Sequence, residues 1–303
     1  MRVLIYHTGA LGDFVTTLPA LACFKKAHPQ SILTCLTKAT HGKLGIDTGI
    51  VAHYLDIDKA QWAGLFADAP SPYLRDRLAE YAAALAFADE SSPVTANLRA
   101  SINGPILHQP PFPADQSHIV NYHLNLVRSP DKPGGEPPPI FTRGHFRTLP
   151  EGLHEIDPAQ AVCIHPGSGS RAKNWPLVRF LALSERIASR GFTPVWLAGP
   201  AEKNLNMLSH KQLVVRTDLS ALTALLLRAR LYIGNDSGVT HLAALCGCPT
   251  IALFEIGNKA VWHPRGRMVK VITACDHSRA TTSGIAAITV DEVCAAGINL
   301  LKS

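Results

Sequence analysis

Val3-Leu4-Ile5-Tyr6, then His7-Thr8-Gly9-Ala10-Leu11-Gly12-Asp13, then an apolar-periodic stretch from Phe14 to Ala27, is the succession that decides the fold. A short apolar run, a glycine-containing turn and a run of helical periodicity spell strand, loop and helix. Ile32 to Leu36 and Val51 to Ile57 have the composition of further strands, and the Ala/Leu-rich stretch from Leu74 to Phe87 predicts a helix. Repeated βα units of this kind build open parallel sheets covered by helices.

Between Ser129 and Pro150 the composition changes: Pro130, Pro133, Gly134, Gly135, Pro137, Pro138 and Pro139 crowd a segment that can hold neither a helix nor an inner strand. The chain has 303 residues, about twice the usual single-domain length. Two domains are therefore expected, 1–145 and 146–303. The second half repeats the grammar of the first. Ala161 to His165 reads as a strand, followed by a Gly/Ser loop to Asn174 and a helix from Pro176, in its first turn, to Arg190. Thr193 to Ala198 reads as a strand and Leu219 to Arg228 as a helix. Leu231 to Gly234 follows as a strand, Asn235-Asp236-Ser237-Gly238 as a turn, then a helix to Cys246 and the strand Thr250 to Phe254. Val290 to Leu301 is helical and can pack back on the N-terminal domain. The expected architecture is α/β, two Rossmann-like domains whose parallel sheets face a central cleft lined by the loops at the strands' C-terminal ends.

Hydrophobic residues at 47% and charged residues at 17% describe a chain able to bury two cores. The net charge of +6 suits phosphate-bearing ligands or an anionic membrane surface. Lys and Arg are dispersed, with no dense basic run and no basic patch interleaved with aromatics, which excludes a nucleic-acid binder. The seven Cys are odd in number, scattered and set in apolar runs, the pattern of reduced thiols. Cys246 and Cys248 form the one close pair, and no second pair at finger-like spacing completes a zinc site. The apolar run behind Met1-Arg2 is too short for a signal peptide or a membrane span, so cytoplasmic residence is expected.

Three strand-to-helix loops carry candidate chemistry. In the first, Gly12 lets backbone approach a ligand and the following helix offers free N–H groups to an anion. Asp13 there either caps the helix or presents a carboxylate that takes a proton from a hydroxyl. The third glycine of a dinucleotide fingerprint is missing, which argues against a nicotinamide-dependent oxidoreductase. In the second, His165-Pro166-Gly167-Ser168-Gly169-Ser170-Arg171-Ala172-Lys173-Asn174-Trp175-Pro176, small residues, hydroxyls and cations suit a diphosphate. Ser168 and Ser170 can donate hydrogen bonds, Lys173 supplies a mobile charge, and Trp175-Pro176 anchors the segment. In the third, Ser237 and Gly238 offer N–H groups and a hydroxyl, while Asp236 or Ser237 equally serves as an N-cap. His241 lies one turn into that helix, as a packed core residue or a site residue. Glu202, after the strand ending Leu197-Ala198, either accepts from the hydroxyls of a ribose or sits in a first helical turn favoured by the dipole.

Taken in order, Gly12-Asp13 with Thr17-Leu18-Pro19-Ala20-Leu21, His165-Pro166-Gly167-Ser168 through Lys173-Asn174-Trp175-Pro176, and Asn235-Asp236-Ser237-Gly238 through His241-Leu242-Ala243-Ala244 resemble glycosyltransferase family nine. The resemblance covers both halves. Members include the ADP-heptose:lipopolysaccharide heptosyltransferases, so it implies a GT-B fold and an inverting transfer. It also implies leaving-group stabilisation without a metal, no cofactor beyond the nucleotide-sugar substrate, and a lipid-linked or oligosaccharide acceptor met at the cytoplasmic face of the inner membrane. It assigns Asp13 as general base and Lys173 as the phosphate-binding cation that offsets charge on the departing nucleoside diphosphate. It assigns Glu202 to the nucleoside, and Asp236, Ser237, Gly238 and His241 to the donor sugar and phosphate loop.

The sequence departs from that pattern at two places. Heptosyltransferases continue past the equivalent of Leu253-Phe254 with a Gly-Pro-Thr-like turn, whereas this chain has Glu255-Ile256-Gly257-Asn258, a carboxylate near the expected donor. His7 stands where Lys or Arg is common. Two alternatives therefore accompany heptose transfer from ADP-heptose: a relative using another nucleotide sugar for a different surface glycan, and a degenerate, non-catalytic module that binds a nucleotide or glycan. Retention of Asp13, Lys173 and Asp236 together favours an enzyme.

Overall fold

A computed structural model describes residues 1–128, 140–144, 146, 157–199, 213–215, 218–274 and 284–302. The chain divides into two compact units, Met1–Ile140 and Phe141–Ser303, the division falling inside the Pro/Gly-rich stretch.

The first unit runs β1 (Arg2–Tyr6), α1 (Leu11–Ala27), β2 (Ile32–Thr37), α2 (Ala39–Asp47), β3 (His53–Asp56), a 3-10 segment (Ala60–Phe66), α3 (Pro72–Leu78), β4 (Ala83–Phe87), α4 (Pro93–Ser101), β5 (Ile106–Gln109) and α5 (Ile119–Val127). Its described strands form one parallel sheet in the order β3-β2-β1-β4-β5, with Ile5 paired to Cys35 on one side and to Leu85 on the other. From β1 the chain first winds outward to β3, then returns to place β4 against β1's other edge. The reversal makes the C-terminal ends of β1 and β4 the place where loops diverge and leave a crevice.

The helix expected over Leu74 to Phe87 is two elements. Ser71 caps α3 by accepting the Leu74 N–H at 3.2 Å, with Pro72 opening the helix. The helix stops at Leu78, and Ala83–Phe87 is a fully buried inner strand. A parallel strand covered on both faces reads as an unbroken apolar run, and a run of alanines has high helical propensity, so periodicity alone does not separate the two. The Ala82 N–H donates to the Arg2 carbonyl at 2.9 Å, starting the ladder that outweighs propensity. The first helix likewise begins at Leu11 rather than Phe14, which moves Gly12 and Asp13 from the loop into its first turn.

The second unit runs β6 (Ala161–His165), α6 (Leu177–Ala188), β7 (Thr193–Leu197), β8 (Leu213–Val215), α7 (Leu219–Leu226), β9 (Leu231–Asn235), α8 (Gly238–Leu245), β10 (Thr250–Phe254), a short helix α9 (Lys259–Trp262), β11 (Val269–Thr273) and α10 (Val290–Lys302). The described strands again form one parallel sheet, ordered β11-β10-β9-β6-β7-β8. Here β6 and β9 are the neighbours at which direction reverses. Pro176 is the N-cap of α6, one position outside the expected first turn. The core gathers Ile164, Trp175, Phe180, Trp196, Ile251 and Val293. α10 lies against α6, β9 and β10 of its own unit, with Cys294, Leu300 and Leu301 on that core. The described cysteines are all free thiols, and among the described residues no helix is long and apolar enough to cross a membrane.

Candidate functional site

In the second unit the loops after β6 and β9 emerge side by side because those strands are neighbours. Asn235, the last residue of β9 and fully buried, ties them together. Its Nδ2 donates to the Pro166 carbonyl at 2.7 Å, and its Oδ1 accepts the Trp175 N–H at 3.1 Å. Trp175 is 1% exposed. Its Nε1 donates to the Ile288 carbonyl at 2.9 Å and its ring meets Phe180 edge to face at 4.8 Å. Burial of that ring fixes the end of the phosphate-type loop with about 2–3 kcal/mol.

Between the two anchors Lys173 turns inward, and its Nζ donates to Asp236 Oδ2 at 2.7 Å. The lysine side chain is 36% exposed and the aspartate 8%, so Lys173 is the counter-ion that makes a nearly buried carboxylate tolerable. Ser237 follows as the N-cap of α8. Its Oγ accepts the Thr240 N–H at 3.4 Å and lies 3.3 Å from His165 Nδ1. Ahead of the capped Thr240, the Gly238 and Val239 N–H groups point their partial positive charge out of the start of α8. Gly234 admits no side chain: a Cβ there would stand 2.3 Å from the Tyr232 hydroxyl, which in turn bonds Thr240 Oγ1 at 3.0 Å. His241 is buried, and burial, then the charges of His263 and Lys173, lower its pKa to about 4. It is a neutral imidazole within the field of Lys173. On the β6 side, Ser168 Oγ lies 2.6 Å from both Asn174 Oδ1 and the Ser170 carbonyl and donates to one at a time.

A cation, hydroxyls and an open helix N-terminus on two adjoining loops form an anion cradle. Of the expected residues, the structure gathers Ser168, Lys173, Asp236, Ser237, Gly238 and His241 at the junction of β6 and β9. Ser170 is exposed on the outer part of the loop. Glu202 lies outside the described residues. The sequence places Asn235 in the third turn and in the third motif but gives it no role of its own, although an Asn ending a buried strand must find partners for its amide.

In the first unit Asp13 is the third residue of α1, and its Oδ2 accepts the Ala10 N–H at 2.9 Å. It is half-buried. The close turn needs Gly9, where a Cβ would meet Asp13 Oδ2 at 2.7 Å and His7 Cε1 at 3.0 Å. Beneath the turn His7 meets Phe14 and Phe87 edge to face at 5.5 and 5.6 Å. His41 stacks on Phe14 at 5.3 Å and His123 meets Phe87 at 5.1 Å. Burial, then neighbouring positive charge, lowers the His7 pKa to about 3, while burial holds His41 and His123 to about 4. The position where Lys or Arg is common thus carries no charge at neutral pH. Among the described residues no three His, Cys, Asp or Glu side chains converge as a metal set.

Neutral burial of these imidazoles makes the fold acid-sensitive. Their folded pKa values lie below the unfolded value of about 6.5, so their contribution is complete above that pH and is lost as pH falls towards 4. Urea unfolding at pH 7.5 and pH 5.0 is expected to show a lower midpoint at pH 5.0. An unchanged midpoint would mean that the cluster accepts protons while folded.

The comparisons agree with this fold. Residues 113–285, more than half of the chain, match the model of glycosyltransferase family 9 (heptosyltransferase). The chain is 25% identical over 297 residues to lipopolysaccharide heptosyltransferase 1 of Pseudomonas aeruginosa, covering 88% of this chain and 82% of that one. Over 113 residues it is 28% identical to lipopolysaccharide heptosyltransferase 3 of Escherichia coli, a match that spans 34% of this chain and only 33% of the relative's length. The structure of E. coli heptosyltransferase WaaC with ADP superposes with a TM-score of 0.70 at 18% identity, covering 99% of this chain and 100% of that chain. Two parallel sheets, each with its loops at a strand-order reversal, and a family match spanning the anion cradle identify the chain as a member of glycosyltransferase family 9, the heptosyltransferase family, with the GT-B fold.

Proposed function

We propose that this family 9 member is an inverting glycosyltransferase that moves heptose from ADP-heptose to a lipopolysaccharide core acceptor. The observation that carries the proposal is the Lys173–Asp236 pair at 2.7 Å beside the N-terminus of α8. A diphosphate entering there competes with Asp236 for Lys173 and leaves the carboxylate to accept hydrogen bonds from sugar hydroxyls. Asp13 takes the proton of the acceptor hydroxyl as its oxygen attacks the anomeric carbon. The bond from that carbon to the β-phosphate oxygen breaks on the opposite face, and ADP leaves with its new charge met by Lys173, Ser168, Ser237 and the helix N-terminus. This positive charge fills the role a divalent metal has elsewhere. The relatives named for lipopolysaccharide heptosyl transfer support the donor and acceptor, as does the solved ADP complex of a structural neighbour. Glu255 is consistent with ADP-heptose too, because its Oε1 accepts the Ile285 N–H at 2.7 Å and so braces the backbone. The net charge of +6 favours meeting an acceptor at the anionic inner membrane from the cytoplasmic side.

A thermal-shift titration with ADP, UDP, GDP, CDP and dTDP tests the donor. At 100 times its Kd a ligand adds about 2.7 kcal/mol, a rise of about 4 °C for a chain of this size. ADP alone is expected to give it, and turnover of ADP-heptose is expected to persist in EDTA. A shift selective for another nucleotide overturns the donor, no shift with any overturns the transfer, and loss of turnover in EDTA overturns metal independence.

A further inference from the structure

Beneath the start of α8 a buried chain of hydrogen bonds joins β6 to the helix. Ser237 Oγ lies 3.3 Å from His165 Nδ1 and 3.0 Å from Thr240 Oγ1, and the Tyr232 hydroxyl lies 3.0 Å from the same Thr240 oxygen. Thr240 Oγ1 also bonds the Asn235 carbonyl. Tyr232 and Thr240 are fully buried, and His165 and Ser237 are 6% and 9% exposed. In such a network each hydroxyl has one proton to give, and a misplaced proton leaves a buried group unpaired.

A carbonyl oxygen only accepts, so Thr240 gives its hydroxyl proton to Asn235. Towards Tyr232 and Ser237 it can then only accept. The Tyr232 hydroxyl donates the first of these bonds, and burial holds its proton in place by raising the pKa of the phenol. Ser237 donates the second while its oxygen accepts the Thr240 N–H. The alternative, in which Ser237 donates to His165, leaves two oxygen lone pairs facing each other across 3.0 Å. With the serine proton on Thr240, the 3.3 Å contact is a hydrogen bond only if His165 Nδ1 carries a proton. Burial lowers the His165 pKa to about 4, so the imidazole is neutral and its single proton sits on Nδ1 rather than Nε2.

We infer that His165 is a positioning residue, held as the Nδ1–H tautomer, whose N–H fixes the Ser237 hydroxyl in its capping rotamer and so keeps the Gly238 and Val239 N–H groups at the mouth of the anion cradle. The inference rests on the reading that a donor diphosphate binds there. NMR of the histidine ring nitrogens in the full chain tests the tautomer, the His165 signals being those that vanish in His165→Asn. Nδ1 is expected to be protonated and Nε2 bare at pH 7.5, and the reverse would overturn the inference. ADP titration tests the positioning. His165→Leu is expected to bind ADP about tenfold more weakly, the scale of losing one buried hydrogen bond, and His165→Asn, whose amide N–H takes the place of Nδ1–H, is expected to recover most of that loss. In a Ser237→Ala background His165→Leu is expected to have no further effect, a result that general weakening of the loop would not produce. Wild-type affinity in His165→Leu, no recovery in His165→Asn, or additive losses in the double variant would each overturn the role of His165 and leave the donor reading intact. A wild-type chain that does not bind ADP would instead overturn the donor reading, and the ring nitrogens would still decide the tautomer.

Discussion

Asp13→Asn is expected to lower kcat by about 10²–10⁴-fold, the usual contribution of a positioned general base, while ADP affinity changes by no more than about twofold. The substitution separates the two tasks of this side chain. As a cap, Asp13 accepts the Ala10 N–H through Oδ2, and the carbonyl oxygen of an Asn accepts the same bond. The loss of charge near the helix N-terminus costs about 0.3–1 kcal/mol, so the variant folds. As a base, the amide has nothing to offer a departing proton. Asp13→Ala removes both tasks and is expected to match the Asn variant in turnover while melting a few degrees lower. Wild-type turnover from Asp13→Asn would leave Asp13 a cap alone and remove the base from the mechanism. Gly9 belongs to the same argument, because any Cβ there presses on Asp13 Oδ2 and would displace the carboxylate without changing its chemistry.

Much of the fold was legible because βα units punctuate themselves. Ala161–His165 and Thr250–Phe254 are strands with the bounds their apolar runs indicate, and glycine-bearing loops follow β1 and β6 as expected, whereas the turn expected over Asn235-Asp236-Ser237-Gly238 is shorter, Asn235 ending β9 and Gly238 opening α8. The reading failed where the sheet is most deeply covered. Ala83–Phe87 has no polar alternation to betray a strand, and only the break at Glu80-Tyr81 separates it from α3. Strand order was beyond local pattern altogether. That β6 neighbours β9, and so brings Lys173 to Asp236 across 63 residues, follows from tertiary pairing. The candidate site was legible in residue type but not in partnership. His7 was noted for replacing a common cation, yet its neutrality comes from Phe14, Phe87, His41 and His123, four residues scattered over the first unit. Glu255 was taken as a carboxylate near the donor, and its bond to Ile285 comes from a turn 30 residues onward.

Lys173→Ala is expected to lower kcat/KM by about 10²–10³-fold, the scale of losing one preorganised charge on a leaving group, and also to lower the melting temperature. The second effect complicates the first. Without Lys173, Asp236 keeps a charge at 8% exposure with no counter-ion, a defect worth about 1–3 kcal/mol, so reduced activity could reflect a damaged loop. The double variant Lys173→Ala/Asp236→Asn removes the stranded charge and is expected to recover most of the stability and none of the catalysis. Asp236→Asn alone should have little effect on stability, since Lys173 remains 36% exposed and hydrated, while weakening the hold on the donor sugar. ADP titrations of the four proteins complete the cycle: affinity is expected to fall in both proteins lacking Lys173 and to stay near wild type in Asp236→Asn, because the proposed reaction assigns the diphosphate to the cation and the sugar to the carboxylate. If the double variant regained turnover along with stability, the pair would be a structural clasp between two loops, and the positive charge on the leaving group would have to come from elsewhere in the second unit.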